Sequence, residues 1–201
     1  MIPLPLTPPG IHAIICLYTI ISVNRSNERS YSMDFLKLCA DRYSVRSFSD
    51  TPIPDEVLNQ ILEAGRLAPT AMNLQPQRVF VIRSQAALET MRTVKKCYGA
   101  GTVLMVCGDT EVACNRPKVD HCMAEMDCAI ATTQMMLAAQ SLGVGSCWIC
   151  AFDVPAMARA FDLPANLTPF VLLALGYPSE DSQPSPRHFE RYPLDETVTF
   201  L

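Results

Sequence analysis

Residues 169–176, Pro169-Phe170-Val171-Leu172-Leu173-Ala174-Leu175-Gly176, form a run with no polar side chain. A strand with one face in water alternates apolar and polar residues, whereas one covered on both faces reads as a continuous apolar run. Thr102-Val103-Leu104-Met105-Val106-Cys107, ended by Gly108-Asp109, is a second such run. Val79-Phe80-Val81-Ile82 reads as a third buried strand, and Cys147-Trp148-Ile149-Cys150 as a short fourth. Between them the apolar period changes. Val57, Leu58, Ile61, Leu62 and Gly65 recur at helical spacing, with Pro54 at the first turn and Ala68-Pro69 beyond the end. Further helices are expected at about Asp34–Asp41, Gln85–Lys95, Asp120–Leu142 and from the N-cap Asp153 to Phe161. This irregular mixture implies a central sheet covered by helices on both faces. Thr197-Val198-Thr199-Phe200 is a possible last strand.

The helix over 120–142 is apolar on more than one stripe, through Met123, Met126, Ile130, Met135, Met136 and Leu137. A helix apolar nearly all round is buried on most sides. In a chain of 201 residues with a mean hydropathy of +0.16, this predicts a partner subunit over one face. A membrane span is the other source of such apolarity. The candidate, Ile11–Val23, would rise only about 20 Å as a helix, short of a bilayer. It also lacks a basic segment before it and a clean cleavage site after it. The domain is therefore expected over 33–201, with 1–32 an N-terminal extension outside the fold.

The net charge of −4 comes with no Lys/Arg cluster, which argues against a nucleic-acid surface. The nine cysteines are odd in number and several sit in apolar runs, as buried free thiols of a reducing cytoplasm would. Cys147-x-x-Cys150 lies in a strand, where residues three apart face opposite sides, and is read as packing rather than a redox pair. Cys114, His121, Cys122 and Cys128 lack a standard metal spacing. His12, His121 and His188 show no nucleophile partner pattern.

Three stretches could carry chemistry. Arg42-Tyr43-Ser44-Val45-Arg46 places two guanidinium groups and a hydroxyl on alternate residues, which point one way in extended chain. Guanidinium donates paired hydrogen bonds to phosphate, so the three could converge on one phosphate; a solvated loop has the same composition. Ala68-Pro69-Thr70-Ala71-Met72-Asn73-Leu74-Gln75-Pro76 offers the Asn73 and Gln75 amides, able to read the edge of a uracil-like ring or merely to shape a turn. Gly143-Val144-Gly145 follows a helix and precedes a strand, the reverse of the dinucleotide fingerprint order, and fits a tight turn.

In this order and at these separations the stretches, with Leu175-Gly176-Tyr177-Pro178 and Pro186-Arg187, make the chain from about residue 34 onward resemble the FMN-dependent nitroreductase family. The resemblance implies an α+β fold with a central mixed, mainly antiparallel sheet between helices. It also implies a homodimer with two tightly bound FMN at the subunit interface. Arg42, Tyr43, Ser44 and Arg46 would hold the phosphate and ribityl end, closed by Arg187. Pro69, Thr70, Ala71, Asn73 and Gln75 would lie along the ring, bordered on its other side by Trp148, Ile149 and Cys150. The implied activity is ping-pong transfer from NAD(P)H to a small electron acceptor such as a nitro compound or quinone, with no catalytic acid, base or metal in the protein. A flavin-binding sensor or carrier, and a dehalogenase-like specialised reductase, are the alternatives. Residues 96–120 offer only a short lid, which implies an open pocket and broad acceptor choice.

Overall fold

The computed structural model describes residues 34–115 and 122–201. The expected extension over 1–32, the start of the long helix at 120–121 and His121 lie outside the described residues. Phe35–Leu201 form one unit. Its elements are α1 (Phe35–Asp41), α2 (Asp55–Arg66), β1 (Gln77–Ile82), α3 (Gln85–Arg92) and β2 (Thr102–Asp109). They continue with α4 (Ala124–Ser141), β3 (Gly145–Ile149), α5 (Val154–Ala160), β4 (Leu167–Gly176) and α6 (Leu194–Thr197).

The strands form one sheet in the order β1-β2-β4-β3, each neighbouring pair antiparallel. Among the described residues, the parallel pairing is confined to a bridge between Ser44 and Ser146. β2 is buried along its whole length and β4 over Val171–Gly176, as unalternating runs require. Successive residues of each serve opposite layers. Leu104, Val106, Val171, Leu173 and Leu175 pack with Leu58 and Ile61 of α2 and Met135 and Ala139 of α4. Val103, Met105, Cys107, Leu172 and Ala174 pack with Leu88 and Met91 of α3 and Met157 of α5. The Asp153 carboxylate caps α5, accepting from the Ala156 N–H at 2.8 Å. No helix among the described residues is long and apolar enough to cross a membrane.

Three expectations change. Val79–Ile82 is not wholly buried: β1 is an edge strand, and of these four residues only Ile82 is buried, with Val81 39% exposed. α3 ends at Arg92 rather than near Lys95: the Val94 and Lys95 N–H groups both close on the Met91 carbonyl, and Cys97, Tyr98 and Gly99 in left-handed conformations then turn the chain into β2. The tail makes no strand over Thr197–Phe200. It forms the short helix α6 and then runs extended and exposed, Phe200 being 96% exposed. β2 also occupies residues 102–109 of the stretch expected as a lid, leaving 96–101 and 110–115 as its described parts outside the strand.

Candidate functional site

Extended chain over Arg42–Arg46 docks on β3, the Val45 N–H donating to the Ser146 carbonyl at 2.9 Å. Alternation then sorts its side chains. Val45 is buried, while Arg42, Ser44 and Arg46 face a cavity of about 510 Å³. Gly145 permits the docking: a Cβ there would stand 2.7 Å from Val45 Cγ2 and 3.1 Å from the Gly176 carbonyl oxygen. Gly143, with φ +73°, makes the turn out of α4.

The far wall of the cavity comes from the C-terminal segment through Ser185, Arg187, His188 and Arg191. Arg42, Arg46, Arg187 and Arg191 thus converge from opposite ends of the chain. No carboxylate lines the cavity, and none of the four arginines pairs with one among the described residues. Arg46 also stands over the Tyr98 ring, 5.9 Å from its centroid. Tyr43 points to the other side of the strand. Its hydroxyl is 3.3 Å from the Ser182 hydroxyl and its ring meets His188 edge-on, fastening the C-terminal segment to the loop. The site therefore unites Arg42, Ser44, Arg46 and Arg187. Ser185, His188 and Arg191 were not anticipated; a second arginine four residues beyond Arg187 was the signal for the last.

The amide loop lies elsewhere. It leads into β1, at the opposite edge of the sheet from β3. Three strand spacings of about 4.8 Å and six residues of about 3.3 Å separate the corner at Ser146 from the corner at Gln77. Within the loop Met72, Asn73 and Gln75 are left-handed, with φ of 53°, 55° and 52°. The Thr70 hydroxyl accepts from the Gln75 N–H at 3.0 Å, and the Gln75 amide donates to the Asn73 carbonyl at 3.2 Å. The Asn73 side chain has no hydrogen-bond partner among the described residues and is exposed. On β3, Ile149 is buried and Trp148 half-buried, and the Trp148 indole N–H donates to Cys150 Sγ at 2.9 Å. Cys147 is buried and Cys150 exposed, both as free thiols.

The matches to known proteins follow the same segments. The model of the Nitroreductase family matches residues 39–102 and 92–177. The crystal structure of a nitroreductase family protein from Clostridium difficile 630 superposes with a TM-score of 0.79 at 36% identity, covering 84% of this chain and 98% of that one. An Archaeoglobus fulgidus protein provisionally named NADH dehydrogenase/NAD(P)H nitroreductase is 33% identical over 153 residues, 73% of this chain and 86% of its own. The FMN reductase [NAD(P)H] of Bacillus subtilis is 26% identical, covering 77% of this chain and 70% of its own. A family match running from the last turn of α1 through β4, joined to the same fold at 36% identity, leaves one conclusion: the chain belongs to the nitroreductase family.

Proposed function

We propose that this chain is an FMN-dependent NAD(P)H oxidoreductase that reduces nitro compounds, quinones or similar small electrophiles. The observation that carries this reading is the cavity ringed by four arginines with no carboxylate to neutralise them. Converging cations repel one another, and a dianionic phosphate relieves that repulsion while accepting paired guanidinium bonds. Relatives named FMN reductase and oxygen-insensitive NADPH nitroreductase support the cofactor and the electron donor. When bound, FMN supplies the electron carrier that no amino-acid side chain provides.

The chain's own residues bind and orient. Arg42, Arg46 and Arg187 donate to the phosphate, with the Ser44 hydroxyl between them. Asn73 offers a free amide to the ring edge. Trp148, Ile149 and Cys150 border the ring. Because the arginines and the amide loop stand at opposite edges of one sheet, the amides that complete each site come from a second copy of the chain. The exposed apolar side chains of Phe35, Leu67, Met72 and Met126 support such an interface. The FMN-binding unit spans residues 33–201. Buried free thiols suit a reducing cytoplasm.

Purified protein is expected to be yellow, to release FMN on denaturation, and to sediment at twice the 22.2 kDa chain mass. It should lose its colour with NAD(P)H under anaerobic conditions and regain it with a nitroaromatic or a quinone. Colour that NAD(P)H does not bleach favours a flavin-binding sensor or carrier. Colourless protein that cannot be reconstituted with FMN refutes both.

A further inference from the structure

The turn over residues 69–75 is locally self-bonded but conformationally unfavourable. Met72, Asn73 and Gln75 all hold left-handed conformations that side chains with a Cβ disfavour. Most of the hydrogen bonds inside it move with it: Asn73 N–H to Thr70 carbonyl at 3.0 Å, Leu74 N–H to Ala71 carbonyl at 3.1 Å, and Gln75 N–H to the Thr70 hydroxyl at 3.0 Å. These shape the turn without fixing where it stands. Its far end is held by the Asp109 N–H on the Pro76 carbonyl at 2.9 Å. Among the described residues, three contacts tie the turn itself to other parts of the fold: the Met72 sulfur meets the Cys114 thiol at 3.6 Å, the Gln75 carbonyl accepts from the Arg78 guanidinium at 2.8 Å, and one carboxylate reaches the backbone at its middle. The Ala71 N–H donates to Asp127 Oδ1 at 2.9 Å.

Asp127 is a costly way to make that bond if packing were its purpose. It is 1% exposed in the first turns of α4, and its second oxygen, Oδ2, is buried with no hydrogen-bond partner. A desolvated carboxylate oxygen without a donor destabilises the fold. The positive end of the helix offsets part of that cost. What Asp127 contributes in return is a charge-assisted bond, stronger than a neutral one, from the long helix into the strained turn.

We propose that Asp127 is the positioning residue of the FMN site, holding the 69–75 turn through Ala71 N–H so that the Asn73 amide is presented to the flavin ring. This rests on the reading that the turn meets FMN, and the experiment separates the two. Asp127→Ala removes the acceptor; Asp127→Asn keeps an acceptor oxygen of the same shape. In the FMN-free protein, amide hydrogen exchange at Ala71 should accelerate about tenfold or more in Asp127→Ala and by a smaller factor in Asp127→Asn, whose neutral oxygen accepts more weakly. FMN affinity, read by fluorescence titration, should follow the same order. Should Asp127→Ala fail to fold, Ala71→Pro deletes the donor instead. Thr70 before it is already extended (φ −134°, ψ 157°), which suits a residue preceding proline. It should weaken FMN binding comparably, and adding Asp127→Asn to it should cost little more.

The proposal is overturned if Asp127→Ala leaves Ala71 exchange and FMN affinity unchanged. It is equally overturned if Asp127→Asn loses affinity as fully as Asp127→Ala, or if the losses in Ala71→Pro and Asp127→Asn simply add. Wild-type protein that binds no FMN defeats the functional reading, while Ala71 exchange still decides the positioning role.

Discussion

Arg42 has no carboxylate partner among the described residues, and its neighbours in the cavity include three more arginines. Replacing it with Ala should weaken FMN binding about 10- to 100-fold, the worth of one charged hydrogen-bonding pair, without unfolding the chain. Titration of the variant with FMN beside a thermal melt checks both halves. The thiols make a second residue-scale prediction. Burial pushes Cys97 up to about 11 and Cys107 and Cys128 up to about 12. Native protein should therefore be alkylated at exposed Cys39 while these three resist until denaturation, a contrast that peptide mass mapping reads directly. At this scale the sequence was informative where chemistry sits on alternate residues: Arg42, Ser44 and Arg46 share a side because extended chain alternates. Tyr43 falls on the opposite side for the same reason. Ser185 and His188 were not legible, since nothing periodic marks the irregular C-terminal segment that delivers them, and Arg191 was marked only by its spacing from Arg187.

Among the elements, β3 decides whether the arginine loop has a seat. Gly145→Val would drive a side chain into Val45 and the Gly176 carbonyl, a clash costing about 1–3 kcal/mol. The loop should lift from β3, so FMN affinity should fall further than in Arg42→Ala, and the urea midpoint should drop as well. β2, β4, α2 and α5 were legible because burial on two faces, helical spacing and a capping Asp leave local marks. The edge position of β1 was not. Four apolar residues in succession read as buried, but exposure at a sheet edge depends on which strand lies beyond, and that is a property of topology. Thr197–Phe200 fails for the converse reason: β-forming composition makes no strand without a neighbouring edge to pair with.

For the molecule as a whole, one end of the sheet is closed by Asp109. The Asn166 amide beside it, aided by the Glu111 N–H and the Arg78 guanidinium, holds its carboxyl below the usual aspartate range despite its burial. A depressed value means the folded state prefers the ionised form. That stabilisation is complete above the ordinary aspartate value of about 3.9 and is lost as pH falls through the lower folded value. Asp109→Asn should flatten this part of the acid limb of the stability curve in chemical denaturation and lower the curve by a constant amount above it, leaving the slope of its alkaline side unchanged. The arginine cavity is expected to hold a flavin by its phosphate. Parallel titrations with FMN and with riboflavin, which has the same ring and no phosphate, test that claim most directly. Wild-type protein should bind FMN at least about a hundredfold more tightly, and Arg42→Ala combined with Arg187→Ala should erase most of the difference. Equal affinity of the wild type for the two flavins, or a preference for FMN that survives both substitutions, would contradict it.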